Sequence, residues 1–155
     1  MAVFTAAQGL EMAMQIEQNG EAFYSTVAAE TTIAEVKELF EFLAAQESIH
    51  YKVFEKLLGR VEPGAGMLDL EQDEYSMYLN VALDQALFAG AEKALATARE
   101  AQDKTAAIRT ALGFEKDTLL FFYDLREMVS EKHRETVTRI VNEEKSHIRR
   151  LAKEL

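Results

Sequence analysis

The sequence predicts an all-α protein, an antiparallel four-helix bundle made of two helical hairpins joined by a long, partly helical crossover. Three observations carry that prediction. One proline and seven glycines in 155 residues are too few breakers for a sheet protein full of turns. Alanine, leucine, glutamate and lysine dominate, and all four are good helix formers. Apolar residues recur at spacings of three and four along four stretches of about 25 residues, each roughly 37 Å long as a helix. The chain is long enough to bury a core, and residues 1–155 read as a single domain.

The first helix is expected from about Thr5 to Ala29, with Thr31 and Thr32 breaking it. The second runs from about Ile33 to Leu58 and stops at Gly59. A loop with Pro63, Gly64 and Gly66 follows, then a less regular helical region from about Glu71 to Gln102, split near Gly90. Two further helices run from about Asp103 to Val129 and from Ser130 to Lys153, with Asp103 and Ser130 suited to be N-caps. Short loops within each pair make each an antiparallel hairpin. The long connection between the pairs returns the chain along the bundle, so that the second hairpin packs on the first.

The two halves repeat. Ala13-Met14-Gln15-Ile16-Glu17 resembles Ala111-Leu112-Gly113-Phe114-Glu115, and Phe23-Tyr24 answers Phe122-Tyr123. Glu47-Ser48-Ile49-His50 answers Glu144-Lys145-Ser146-His147. Glu17 and Glu115 stand 98 residues apart, and the two Glu-x-x-His pairs 97. Two similar hairpins imply a pseudo-two-fold axis down the bundle.

Each helix carries an apolar seam interrupted near its middle by a carboxylate. The first reads Leu10, Met14, Glu17, Glu21, Tyr24, Ala28; the second Phe40, Leu43, Glu47, His50, Phe54, Leu57. The third reads Ile108, Leu112, Glu115, Leu119, Phe122, and the fourth Val137, Ile140, Glu144, His147, Leu151. In antiparallel helices the middles come level, so the four polar breaks meet in one layer. Burying four carboxylates without compensation is very costly, and their mutual repulsion adds to the cost. No seam offers a lysine or arginine there, which makes metal ions the natural counter-charge.

The spacing suits that role. Glu-x-x-His puts a carboxylate and an imidazole on one helical face, so Glu47 and Glu144 can bridge two metals while His50 and His147 bind one each. Glu17 and Glu115 then cap one metal apiece. The metal ligands read from the sequence are thus Glu17, Glu47, His50, Glu115, Glu144 and His147, and the four glutamates are the catalytic candidates. Each Glu-x-x-His is a weak signal singly; the matched set of six is specific.

Other positions carry plainer expectations. Glu21 shares the first seam but answers to Leu119, so it reads as a rim residue. Glu143 stands three residues before Ser146 and reads as exposed; His133, in the first turn of its helix, reads as a surface residue. Glu92 lies in the crossover without periodic support as a ligand. Tyr24 and Tyr123 are placed to hydrogen-bond the bridging carboxylates, the alternative for each being ordinary core packing.

Charge and composition exclude several classes. A net charge of −10 repels phosphate backbones and argues against nucleic acid as a partner. The absence of cysteine removes disulfides, thiolate metal sites and thiol redox chemistry. No apolar run approaches the roughly 18–20 residues of a membrane span, and Met1-Ala2-Val3-Phe4 lacks the features of a signal peptide. The expectation is a cytoplasmic protein without membrane association.

At these residues the chain resembles the rubrerythrin branch of the ferritin-like superfamily. The resemblance rests on Glu17 followed by Phe23-Tyr24, Glu47-x-x-His50, Phe114-Glu115-Lys116-Asp117 followed by Phe122-Tyr123, and Glu144-x-x-His147. It implies a centre of two iron ions per chain reacting with hydrogen peroxide or dioxygen, and usually a homodimer. Manganese and zinc suit the same ligands. Two departures stand out. Typical rubrerythrins carry a cysteine-ligated iron domain that supplies electrons; without cysteine, this chain needs a separate electron donor. They also carry a further carboxylate one turn after the lone Glu of the third bundle helix, where this chain has Thr118 beside Asp117. The leading reading is a di-iron oxidoreductase of the peroxidase type. The alternatives are a ferroxidase that handles iron, or a metal-stabilised helical interaction module without catalysis.

Overall fold

The computed structural model describes residues 5–62 and 103–155, together with Met77, Val81, Ala96 and Arg99. The loop at Pro63, Gly64 and Gly66 and the crossover with its split near Gly90 lie outside the described residues, apart from those four positions, which are helical.

Four helices form the bundle: α1 (Ala6–Glu30), α2 (Ala34–Leu58), α3 (Lys104–Met128) and α4 (Glu131–Lys153). Thr5 caps α1 reciprocally: its hydroxyl accepts from the Gln8 amide at 3.2 Å, while its own amide donates to the Gln8 side chain at 3.0 Å. Thr31 turns extended, ending α1, and its hydroxyl accepts from the Ile33 amide to shape the tight link into α2. Asp103 caps α3 by accepting from the Ala106 amide at 2.7 Å. Ser130 holds the N-cap position of α4 but makes no side-chain capping bond.

α1 lies along α2 and α3 along α4, the two expected hairpins; between hairpins α1 meets α3 more closely than α2 meets α4. The core is aromatic around its centre. Tyr24 meets Phe23 and Phe40 edge-on, with centroids 5.2 and 5.1 Å apart, and Phe54 meets Phe122 at 5.0 Å.

The seams of α2 and α4 are buried as read. Those of α1 and α3 turn by one position at the same place, and in α1 Met14 is half-buried with Ala13 taking the inner place. Gly20 and Thr118 are buried, whereas Glu21 and Leu119 sit at the edge. The cause is close approach. A Cβ on Gly20 would stand 2.8 Å from Glu47 Oε2 and 2.8 Å from the Phe114 ring, so glycine at that turn lets α2 and α3 come in.

Candidate metal centre

The structure brings all six residues together. Glu17, Glu47, His50, Glu115 and Glu144 are 0% exposed and His147 2%, in a layer with apolar core on both sides. α1 and α3 each supply one glutamate from mid-helix, and α2 and α4 each supply a Glu-x-x-His pair one turn apart. The two imidazoles stack at 5.5 Å with planes 16° apart, as a pseudo-two-fold requires.

Their potential ligand atoms form two overlapping groups. Glu17, Glu47, His50 and Glu144 offer donors within 4.8 Å of one another, and so do Glu47, Glu115, Glu144 and His147. Glu47 and Glu144 belong to both. Both histidines turn Nδ1 inward, 2.9 Å from opposite oxygens of Glu144. His50 Nδ1 is also 3.6 Å from Glu17, and His147 Nδ1 3.7 Å from Glu47.

The electrostatics of this layer without a cation are strained. Burial, then the charge of Glu144, pushes Glu17 well above the usual carboxyl range; burial and the Glu17 charge do the same to Glu47. Glu115 is raised by burial and by Glu144. Glu144 goes the other way: burial disfavours its charge, but the hydrogen bonds from His147 and His50 outweigh it and hold the group low. The same contact pushes His50 up to about 10 against the opposing effect of its own burial.

Both oxygens of Glu17 and of Glu47, and Oε2 of Glu115, are buried with no hydrogen-bond donor among the described residues. Five orphaned buried oxygens beside two inward imidazole nitrogens are what a pair of divalent cations would satisfy. The residues therefore fit a two-metal group, three carboxylates and one imidazole to each position, with two carboxylates in common.

The surroundings hold these side chains in place. Tyr24 donates to Glu115, so it serves a lone glutamate and not a bridging one, and burial with the Glu115 charge keeps its hydroxyl protonated. Tyr123, expected in an equivalent role, is half-buried with Arg126 and Lys145 each 5.2 Å from its ring centre. Glu143 corrects the expectation of a plain surface residue. Its side chain is 43% exposed, yet it bonds His50 Nε2 at 2.7 Å, fixing the ring so that Nδ1 points inward. The signal available was its place just before Glu144, on the flank of α4 that turns toward α2. Glu143 also lines a cavity of about 140 Å³ with Ile49, Val53 and Arg139 that reaches His50 from the surface. On the other side, Phe42 meets the His147 ring edge-on at 6.3 Å, and the Arg150 guanidinium lies 4.0 Å from the centre of the Phe42 ring.

The remaining positions are plainer. Glu21 is half-exposed at the rim. His133 is half-buried, not a surface residue: with Ala6 and Arg60 it lines a cavity at the bundle end, because the first turn of α4 comes close to the start of α1. Glu92 lies outside the described residues.

The close approach at Gly20 gives a prediction. Gly20→Ala forces Glu47 or Phe114 to move and should cost about 1–3 kcal/mol by chemical denaturation, with weakened metal uptake. Gly113→Ala, whose Cβ would meet nothing within 4 Å, should instead stabilise α3 by about 0.5–1 kcal/mol.

Comparison with known proteins follows the same lines. Residues 8–155 match the family model Rubrerythrin. A crystal structure from Thermotoga maritima, described as that of a ferritin-like diiron-carboxylate protein, superposes with a TM-score of 0.69 at 23% identity, covering 99% of this chain and 95% of that one. No curated protein matches the sequence. Among the described residues, no helix is long and apolar enough to cross a membrane.

Proposed function

The chain belongs to the rubrerythrin family, and from that premise we propose that it is a di-iron oxidoreductase that reduces hydrogen peroxide or dioxygen with electrons from a separate donor. The observation that carries this reading is the pair of overlapping four-donor groups joined by Glu47 and Glu144 inside an apolar core. Glu17 and His50 would complete one metal position, and Glu115 and His147 the other. A bound iron pair supplies two electrons per cycle, which with two protons converts one hydrogen peroxide to two water molecules.

The protein's own residues set the conditions for that exchange. Glu47 and Glu144, common to both donor groups, would place the two metal ions side by side and share their charge between the two halves. Glu143 keeps His50 Nδ1 turned inward through its bond to Nε2. Tyr24 steadies Glu115, and its buried hydroxyl remains a donor at neutral pH. Phe23, Phe40, Phe54, Phe114 and Phe122 are buried around the layer and keep bulk water from it. The cavity at Ile49, Val53 and Arg139 is the route by which a molecule as small as peroxide reaches His50. A single domain over residues 1–155, working inside the cell as a homodimer, completes the proposal.

One observation favours a second reading, that of a ferroxidase. Glu143 is a partly solvated carboxylate at the mouth of that cavity and in contact with His50, a place where iron can be received. Stopped-flow mixing of the anaerobically loaded ferrous protein with peroxide separates the two. Sustained peroxide consumption with an added reductant, at constant bound iron, is expected for the oxidoreductase. A single stoichiometric oxidation followed by release of ferric iron supports the ferroxidase. No reaction at all overturns both.

A further inference from the structure

We infer that Thr118 is the hydrogen-bond donor for a small exogenous anion, of the size of azide or hydroperoxide, held in the dinuclear layer on the Glu115 side. Thr118 is 0% exposed, and its hydroxyl has no hydrogen-bond partner among the described residues. That is unusual for a threonine within a helix, which commonly satisfies its hydroxyl on the carbonyl four residues back. A buried hydroxyl without a partner costs about 1–3 kcal/mol and persists where something else is to be bound. Thr118 stands one turn after Glu115 on the buried stripe of α3, between Glu115 and Phe122.

The repeat shows what that position is worth. The equivalent turn of α1 is Gly20, and there the space is filled by Glu47 and the ring of Phe114. The two halves are thus matched in their metal donors and unmatched at this one turn. The α1 side is closed by packing, and on the α3 side the buried Thr118 hydroxyl has no partner among the described residues. Thr118 is neutral at every accessible pH, so it can donate to an incoming anion without adding negative charge to a layer that already holds four glutamates. Exogenous ligands should therefore enter on the Glu115 side and not the Glu17 side.

This inference rests on the dinuclear reading, and the test keeps the two apart. Metal content is measured first in the wild-type, Thr118→Val and Thr118→Ser proteins, and azide is then titrated into each loaded protein by visible absorption. With two metals per chain throughout, Thr118→Val should weaken azide binding about tenfold, while Thr118→Ser stays within about twofold of wild type. Equal azide affinity in wild type and Thr118→Val overturns the role of Thr118 and leaves the dinuclear site standing. Failure of the wild type to take up two metals overturns both. A second readout needs no metal. Thr118→Val removes a buried, unpartnered hydroxyl at constant volume, so it should raise the Tm of the metal-free protein by about 2–4 °C. A fall in Tm means the hydroxyl serves the fold itself, which contradicts the inference.

Discussion

Glu144→Ala is expected to empty both halves of the centre at once and to destabilise the metal-free protein by about 3–5 kcal/mol. Glu144 belongs to both donor groups, and its two oxygens accept from His50 and His147. Its removal takes a ligand from each metal and leaves the His50 cation buried without its main partner. Glu17→Ala gives the contrast. Glu17 belongs to one group only, and its oxygens have no hydrogen-bond donor among the described residues. That variant should retain about one metal per chain and, without metal, should be no less stable than wild type, because a raised, buried carboxyl has been removed. Elemental analysis with urea denaturation of metal-free protein reads both effects. Equal metal loss in the two variants would contradict the shared role of Glu144.

Metal uptake should release protons, with the raised carboxyls of Glu17, Glu47 and Glu115 and the imidazole of His50 as their sources. The sign follows from the direction of each shift. A carboxyl raised by burial holds its proton more tightly in the folded state, so the metal-free fold loses stability as pH climbs above about 4.3. His50 is raised to about 10, so its stabilisation is fully present below about 6.5 and is lost as pH rises through about 10. Glu144 is held low, and its contribution is present above about 4.3 and lost on acidification. From about pH 6.5 to 10 the stabilisation from His50 is lost, so the Tm of the metal-free protein should fall across that window. The loaded protein, whose ligands are already deprotonated, should change little there. Proton release is measured with an indicator dye in weak buffer, and parallel Tm curves for the two forms would contradict the account.

Much of this was legible in the sequence, and the exceptions have physical causes. Helix limits fell within about two residues because Thr5, Thr31, Gly59 and Asp103 act through local backbone chemistry. The six central residues were legible because a charged side chain in an apolar seam has few explanations. The buried turn after Glu17 and Glu115 was not, since a period of 3.6 gives residues three and four positions on equal claims. Close approach of Glu47 and Phe114 decided it for Gly20. Tyr24 and Tyr123 looked equivalent, but Tyr24 lies seven residues after Glu17 and Tyr123 eight after Glu115. Seven residues return to the same face of a helix and eight overshoot by roughly 80°. Phe122 therefore takes the inner place, and Tyr123 turns toward Arg126 and Lys145. Glu143 was missed because its partner His50 lies on another helix, 93 residues away.

If the six buried residues hold two metal ions, elemental analysis of natively purified protein will find them. Two metal ions per chain, mainly iron, are expected. A content far below two per chain, in protein that is folded and helical, would contradict a dinuclear centre.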